Sequence, residues 1–242
     1  TKDGSAILGY AGLGATAHGT EPAEWMSSVL RGRNVSLEQS LAILAAAQQR
    51  QLPRHLVKLP LSGPAAHNVL IPALLNDQAH LYSIDMQFAR DRKSYKFRHT
   101  RHVVGGTDGV PTNRTPRIGV AGSGTTYFMS NKSWARELVR IVRACDEKRI
   151  SHEAVAQYMA SINKRVHAGM PDKSVGPRCI VVWRNRSAGV HEGGGAHRYF
   201  RDGTIDQEQA TLPVEQGLLP TISLGIDQSA ILKAIAPHLM AG

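Results

Sequence analysis

The chain has 242 residues, which at roughly 150 residues per domain is room for one large domain and excludes a repeat array or a multidomain machine. With 42% hydrophobic and 20% charged residues, it carries enough apolar surface to bury a core, and intrinsic disorder is excluded. Lys plus Arg number 29 against 19 Asp plus Glu, a net charge of +10, and a surface of that sign favours anionic partners.

Cys145 and Cys179 are the only cysteines; they match no metal-ligand spacing, so a reducing, cytoplasmic location is expected, with no disulfide framework, metal or organic cofactor. No apolar run is long enough for a membrane span, and no charged segment followed by an apolar one opens the chain as a signal peptide would. A soluble protein without membrane contact is the expectation.

In chain order, Ala6-Ile7-Leu8-Gly9-Tyr10-Ala11 reads as a buried strand entering the tight turn Gly12-Leu13-Gly14. Glu21-Pro22-Ala23-Glu24 opens a helix that stops near Gly32, with proline and acids in the first turn where the missing N–H and the dipole favour them. Ser36-Leu37-Glu38-Gln39 is a capping box, and Leu37, Leu41 and Leu44 carry the next helix to Pro53. Three strands follow, Asn68–Leu75, 79–86 and 94–104, with Asn76-Asp77 as the turn of a hairpin. Arg117-Ile118-Gly119-Val120-Ala121 reads as another strand, leading through Gly122-Ser123-Gly124 into a helix with Trp134, Leu138, Ile141 and Val142 on its apolar face. Ser151 caps a further helix; strands are expected at Cys179-Ile180-Val181-Val182-Trp183 and 198–200, and a terminal helix at 228–239. Residues 203–242 are expected as a loop-rich extension of a single domain spanning 1–242.

Three local patterns suggest chemistry. Gly122-Ser123-Gly124 could present N–H groups and a hydroxyl to an oxyanion, although the same glycines also serve a plain strand-to-helix turn. Gly193-Gly194-Gly195 between His191 and His197 lacks a third ligand and reads as a hairpin rather than a metal site. Residues 90–101 hold six basic side chains with Tyr95 and Phe97 interleaved; strand alternation puts Lys96 and Arg98 on one face and the aromatics on the other, unlike an RNA-binding sheet that exposes both together.

Taken in order, Gly9-Tyr10-Ala11-Gly12-Leu13-Gly14, Ile118-Gly119-Val120-Ala121-Gly122-Ser123-Gly124 and Ser174-Val175-Gly176-Pro177-Arg178-Cys179-Ile180 resemble the proteasome β-subunit-like branch of the N-terminal nucleophile hydrolases. The resemblance runs from about residue 5 to residue 190. It implies an α+β fold, a four-layer αββα sandwich, here N-terminally abbreviated. It also implies a threonine-type peptidase or amide hydrolase that acts on a peptide or amide substrate and self-assembles into a homo-oligomeric ring. In that reading the Gly12 N–H forms the oxyanion hole, Ser123 contacts the nucleophile's amine, and Asp172 with Ser174 supply the supporting acid and hydroxyl. Asp172 and Ser174 stand one residue closer together than the family pattern has them.

The family places its nucleophile, two strands and a lysine ahead of the first glycine turn, whereas eleven residues precede Gly12 here. Eleven residues reach on the order of 35 Å when extended, so contact between Thr1 and Gly12 is allowed. Three explanations stand open: a fragment lacking an upstream segment of roughly 50 residues, a scaffold that has lost catalysis, or an abbreviated fold with Thr1 as nucleophile. The alternative function is a non-catalytic, basic interaction module binding nucleic acid, motivated by the net charge and residues 90–101.

Overall fold

The computed structural model of the protein describes residues 1–12, 22–56, 67–76, 78–90, 94–102, 118–172, 174–184 and 195–206. Its elements are β1 (Gly4–Ala6), β2 (Gly9–Ala11), α1 (Pro22–Leu30), α2 (Leu37–Leu56), β3 (Asn68–Leu75), β4 (Gln78–Phe88), β5 (Tyr95–His102), α3 (Thr125–Ser130), α4 (Lys132–Asp146), α5 (His152–Gly169), β6 (Arg178–Arg184), β7 (Gly195–Arg201) and β8 (Thr204–Ile205). The described residues thus form a mixed α+β structure with a five-stranded and a three-stranded antiparallel sheet. Two compact units divide the chain, Thr1–Gly122 and Ser123–Gly242.

In the first unit β3, β4 and β5 run as an antiparallel meander, and β1 and β2 both pair with the outer side of β3. β1 and β2 share one register: Ala6 faces Ala73 and Gly9 faces Leu70. They are one edge strand interrupted at Ile7-Leu8, in place of the unbroken strand expected there. Pro72 is the physical cause. Ile7 N–H donates to the Pro72 carbonyl at 3.0 Å, and proline has no N–H to return the second bond of that pair.

Every second residue of this sheet, Val69, Ile71 and Ala73 with Tyr82, Ile84, Met86 and Phe97, is buried against Leu37, Leu41, Leu44 and Ala45 of α2 and Met26 of α1. Helical spacing on α2 and period two on the strands make the two apolar surfaces meet. The capping box forms as expected: Gln39 N–H donates to Ser36 Oγ at 3.3 Å, and Ser36 N–H to Gln39 Oε1 at 3.1 Å. Asp3 adds a remote cap by accepting from Leu37 N–H at 2.9 Å.

β3 spans the expected residues, and Leu75 pairs with Gln78 across a two-residue turn that begins at Asn76 with φ +47°. Lys96 and Arg98 lie exposed on one face of β5 while Phe97 is buried on the other. The outer edge of β5 is closed by a side chain. Gln49 accepts from Phe97 N–H at 3.0 Å and donates to the Tyr95 carbonyl at 3.2 Å, imitating a neighbouring strand where an open edge would invite pairing.

In the second unit α5 packs Ala156 and Ala160 on Val181 and Phe200, with Cys179 and Trp183 alongside. Ser151 caps α5 as expected, its Oγ accepting from Ala154 N–H at 3.2 Å. The single helix expected after Gly124 is instead two, α3 and α4. Asn131 separates them at φ −99°, ψ 68°, and its amide donates to the Tyr127 carbonyl at 2.9 Å, taking an acceptor that a continuing helix would use. β8 continues past Gly203 as a short strand on β7; the rest of the expected extension and its terminal helix lie outside the described residues, as do Arg92, Lys93, His191 and residues 193–194.

Candidate functional site

Gly12 follows the last paired residue of β2, where Ala11 faces Asn68. One step further along the same ladder, Gly12 stands beside His67. The glycine is exposed at φ +145°, and the imidazole beneath it is 1% exposed. His67 Nδ1 lies 2.8 Å from Tyr10 Oη, and the His67 carbonyl accepts from Met86 N–H at 3.1 Å. A Cβ at position 12 would overlap His67 Nδ1 and stand 3.1 Å from Tyr10 Oη. Only glycine fits both the backbone angle and the space, so the Gly12 turn is set directly on a buried, hydrogen-bonded ring.

Burial holds the His67 pKa below its ordinary 6.5. As pH falls, the unfolded chain therefore takes up this proton first. The contribution of His67 to stability is complete above 6.5 and is lost as pH falls through the folded-state value. The melting temperature is expected to drop between about pH 7 and 5, and to drop less in His67→Gln; equal drops in a thermal melt would assign the effect to other groups.

Residues 118–121 do not form the expected strand. Gly119 instead lies on the side chains of Leu70 and Leu81, its Cβ position 3.1 Å from Leu70 Cδ2, so this segment crosses side chains on the sheet and not a strand edge with free backbone partners. Gly122, at φ +99°, has its Cβ position 3.3 Å from Ala11 Cβ. The two glycine turns of the first unit are therefore neighbours.

Ser123 is exposed and opens the second unit. Gly124 begins the six-residue α3 without a side-chain cap. Its Cβ position is 2.9 Å from Val175 Cγ2 and 3.0 Å from Val166 Cγ1, so the Ser123-Gly124 turn is pressed against the residue after Ser174. Asp172 and Ser174 are both exposed and joined in an Asx turn, Ser174 N–H donating to Asp172 Oδ1 at 3.1 Å. α5 holds the next two residues by their backbone: His167 Nδ1–H donates to the Val175 carbonyl at 2.6 Å, and the Asn163 amide to the Gly176 carbonyl at 3.1 Å. The segments carrying Ser123, Asp172 and Ser174 are thus brought together within the second unit, while Gly12 belongs to the first.

Thr1 sits at the far end of the edge strand from Gly12. Between Gly4 and Ala11 the chain runs extended along β3, and seven residues at about 3.3 Å each place them about 23 Å apart. Thr1 Oγ donates to the Gly4 carbonyl at 2.9 Å. Burial works to raise the Asp3 carboxyl, but backbone N–H donation, that of Leu37 first, leads the effects that outweigh it and leave the group below its ordinary value.

Sequence reasoning missed a polar network on the sheet face opposite α2. Ser83, 2% exposed, donates to Asp85 Oδ2 at 2.5 Å and lies 2.8 Å from His102 Nε2. With its side-chain amide turned to satisfy both atoms, Asn68 donates to Asp85 Oδ1 at 3.1 Å. The serine proton faces the carboxylate, so His102 Nε2–H is the donor to Ser83 Oγ. That is the reverse of the serine-to-imidazole bond that activates a nucleophile. Ser83 and Asp85 two apart on a strand were legible as sharing a face; His102, on the next strand, was not.

Cys145 and Cys179 are free thiols. Burial pushes Cys179 up to about 11, which leaves little thiolate to act as nucleophile. Among the described residues no group of three His, Cys, Asp or Glu side chains is placed to hold a metal ion, and no helix is long and apolar enough to cross a membrane. Comparison of the chain with protein-family models, with curated proteins and with solved structures found no match.

Proposed function

We propose that this chain is an N-terminal nucleophile hydrolase of the proteasome β-subunit-like kind, a threonine-type peptidase or amide hydrolase that assembles with copies of itself. The observation that carries this reading is the exposed Gly12 turn, fixed on buried His67 at a strand end, with the Gly122 turn against its neighbour Ala11. A rigid backbone N–H beside an accessible strand end suits an oxyanion, because the donor needs no reorganisation when charge develops. The four-layer αββα sandwich belongs to the same proposal. Each unit packs helix on one face of a sheet, the kind of layer that such a sandwich is built from.

In this mechanism a terminal hydroxyl attacks the amide carbon and the carbonyl electron pair moves onto oxygen, where the Gly12 N–H donates to it. The terminal amine takes the hydroxyl proton and passes it to the leaving amine; water then cleaves the ester. Thr1 lies beyond Gly4, itself about 23 Å along the strand from Ala11, so its hydroxyl does not reach the Gly12 N–H and is not the attacking one. N-terminal sequencing and native mass measurement of the protein from its own host test this. A multimer whose mature chain starts with a free Thr, Ser or Cys other than Thr1 is expected; a monomer, or a mature chain starting at Thr1 or with another residue type, would contradict the proposal.

A further inference from the structure

We infer that the solvent face of α4 is a docking surface for the phosphate backbone of a nucleic acid. This inference goes beyond the hydrolase reading and does not depend on it. Lys132, Arg136, Arg140 and Arg143 are all exposed and succeed one another at intervals of four, four and three residues. On a helix that spacing confines them to an arc of about 80° and a line about 17 Å long. The opposite side of α4 carries the buried Leu138.

Glu137, the one acid between Lys132 and Arg143, is drawn toward α5. Tyr158 Oη donates to its Oε2 at 2.7 Å, and that carboxylate, after burial, pushes the phenol up to about 12. Arg140 reaches the same Glu137 at 3.4 Å with its side chain 76% exposed, a weak surface pair that a phosphate can replace.

The chemistry of the stripe selects its occupant. Four exposed cations in line repel the same face of a second copy of this chain. A helix lying in a lipid surface buries apolar side chains beside its cations, and the exposed large hydrophobic residues of the described chain, Met129, Met159, Ile180 and Ile205, all lie off α4, leaving a lipid surface charge attraction alone. A line of cations, three of them planar guanidiniums, matches a polymer with regularly repeated phosphates. β5 is the poorer surface, because Phe97 is turned into the core away from Lys96 and Arg98.

The test is binding of the full chain to a fluorescein-labelled duplex across a salt series. Four phosphate contacts predict a slope of about −3.6 in log affinity against log salt, or a loss of about 150-fold between about 50 and 200 mM. Arg136→Gln/Arg140→Gln/Arg143→Gln is expected to bring the slope to about −0.9, whereas replacing the same three by Lys keeps it, which separates lost charge from lost fold. Lys96→Gln/Arg98→Gln is expected to leave it unchanged. Absence of binding by the parent at low salt, an unchanged slope in the Gln variant, or transfer of the loss to the β5 variant would each overturn the inference. So would capture on phosphatidylserine vesicles without duplex binding.

Discussion

Gly12→Ala is expected to destabilise the first unit by about 3 kcal/mol, since it combines a strained backbone with an overpacked contact. At φ +145° the new Cβ meets His67 Nδ1, in a side chain that is 1% exposed and bonded to Tyr10. The ring cannot yield without breaking that bond and exposing its pocket. Removing His67 relieves the overlap and leaves the backbone strain, so His67→Ala does not rescue the variant. Gly9→Ala is the control: its Cβ has only the Leu70 carbonyl at 3.7 Å, and a change below about 1 kcal/mol is expected. Urea melts of both variants decide the matter, and equal midpoints would show that Gly12 is not held as described. Any amide hydrolysis is expected to fall with Gly12→Ala more than stability accounts for, because the N–H is no longer aimed.

Gly124→Ala is expected to cost about 1–3 kcal/mol in the second unit for a different reason. Gly124 has an ordinary negative φ of −73°, so space alone excludes a side chain there. The obstructing atoms are Val175 Cγ2 and Val166 Cγ1, methyls on β-branched side chains that cannot swing aside. Val175→Ala opens room beside position 124, and the double variant is expected to be more stable than the sum of the single changes by more than about 0.5 kcal/mol. Additive effects in that cycle would remove the contact on which the Ser123 turn and the Ser174 segment are brought together.

These two glycines show where the sequence could be read and where it could not. Ser36 and Gln39 announced their helix because a capping box is written within four residues, and Val69, Ile71 and Ala73 announced a strand face by alternation alone. The break between β1 and β2 was invisible at residues 6–11, because its cause, Pro72, stands on the partner strand. Asn131 divided an amphipathic run whose apolar spacing continued past it, through a side-chain bond that periodicity does not register. Residues 118–121 looked like a strand by composition, but none of the described strands pairs with them; Gly119 instead meets side chains of β3 and β4. At the candidate site the glycines themselves were legible, whereas His67, 55 positions from Gly12, and Val175, 51 from Gly124, are neighbours only in the fold.

An N-terminal nucleophile served by Gly12 is tested most directly by treating the protein from its own host with a hydroxyl-directed β-lactone and locating the adduct by peptide mass spectrometry. A single ester on the first residue of the mature chain is expected, formed more slowly in folded Gly12→Ala. Labelling at Ser83 or another internal residue, or no labelling of the terminal residue in a folded protein, would contradict it.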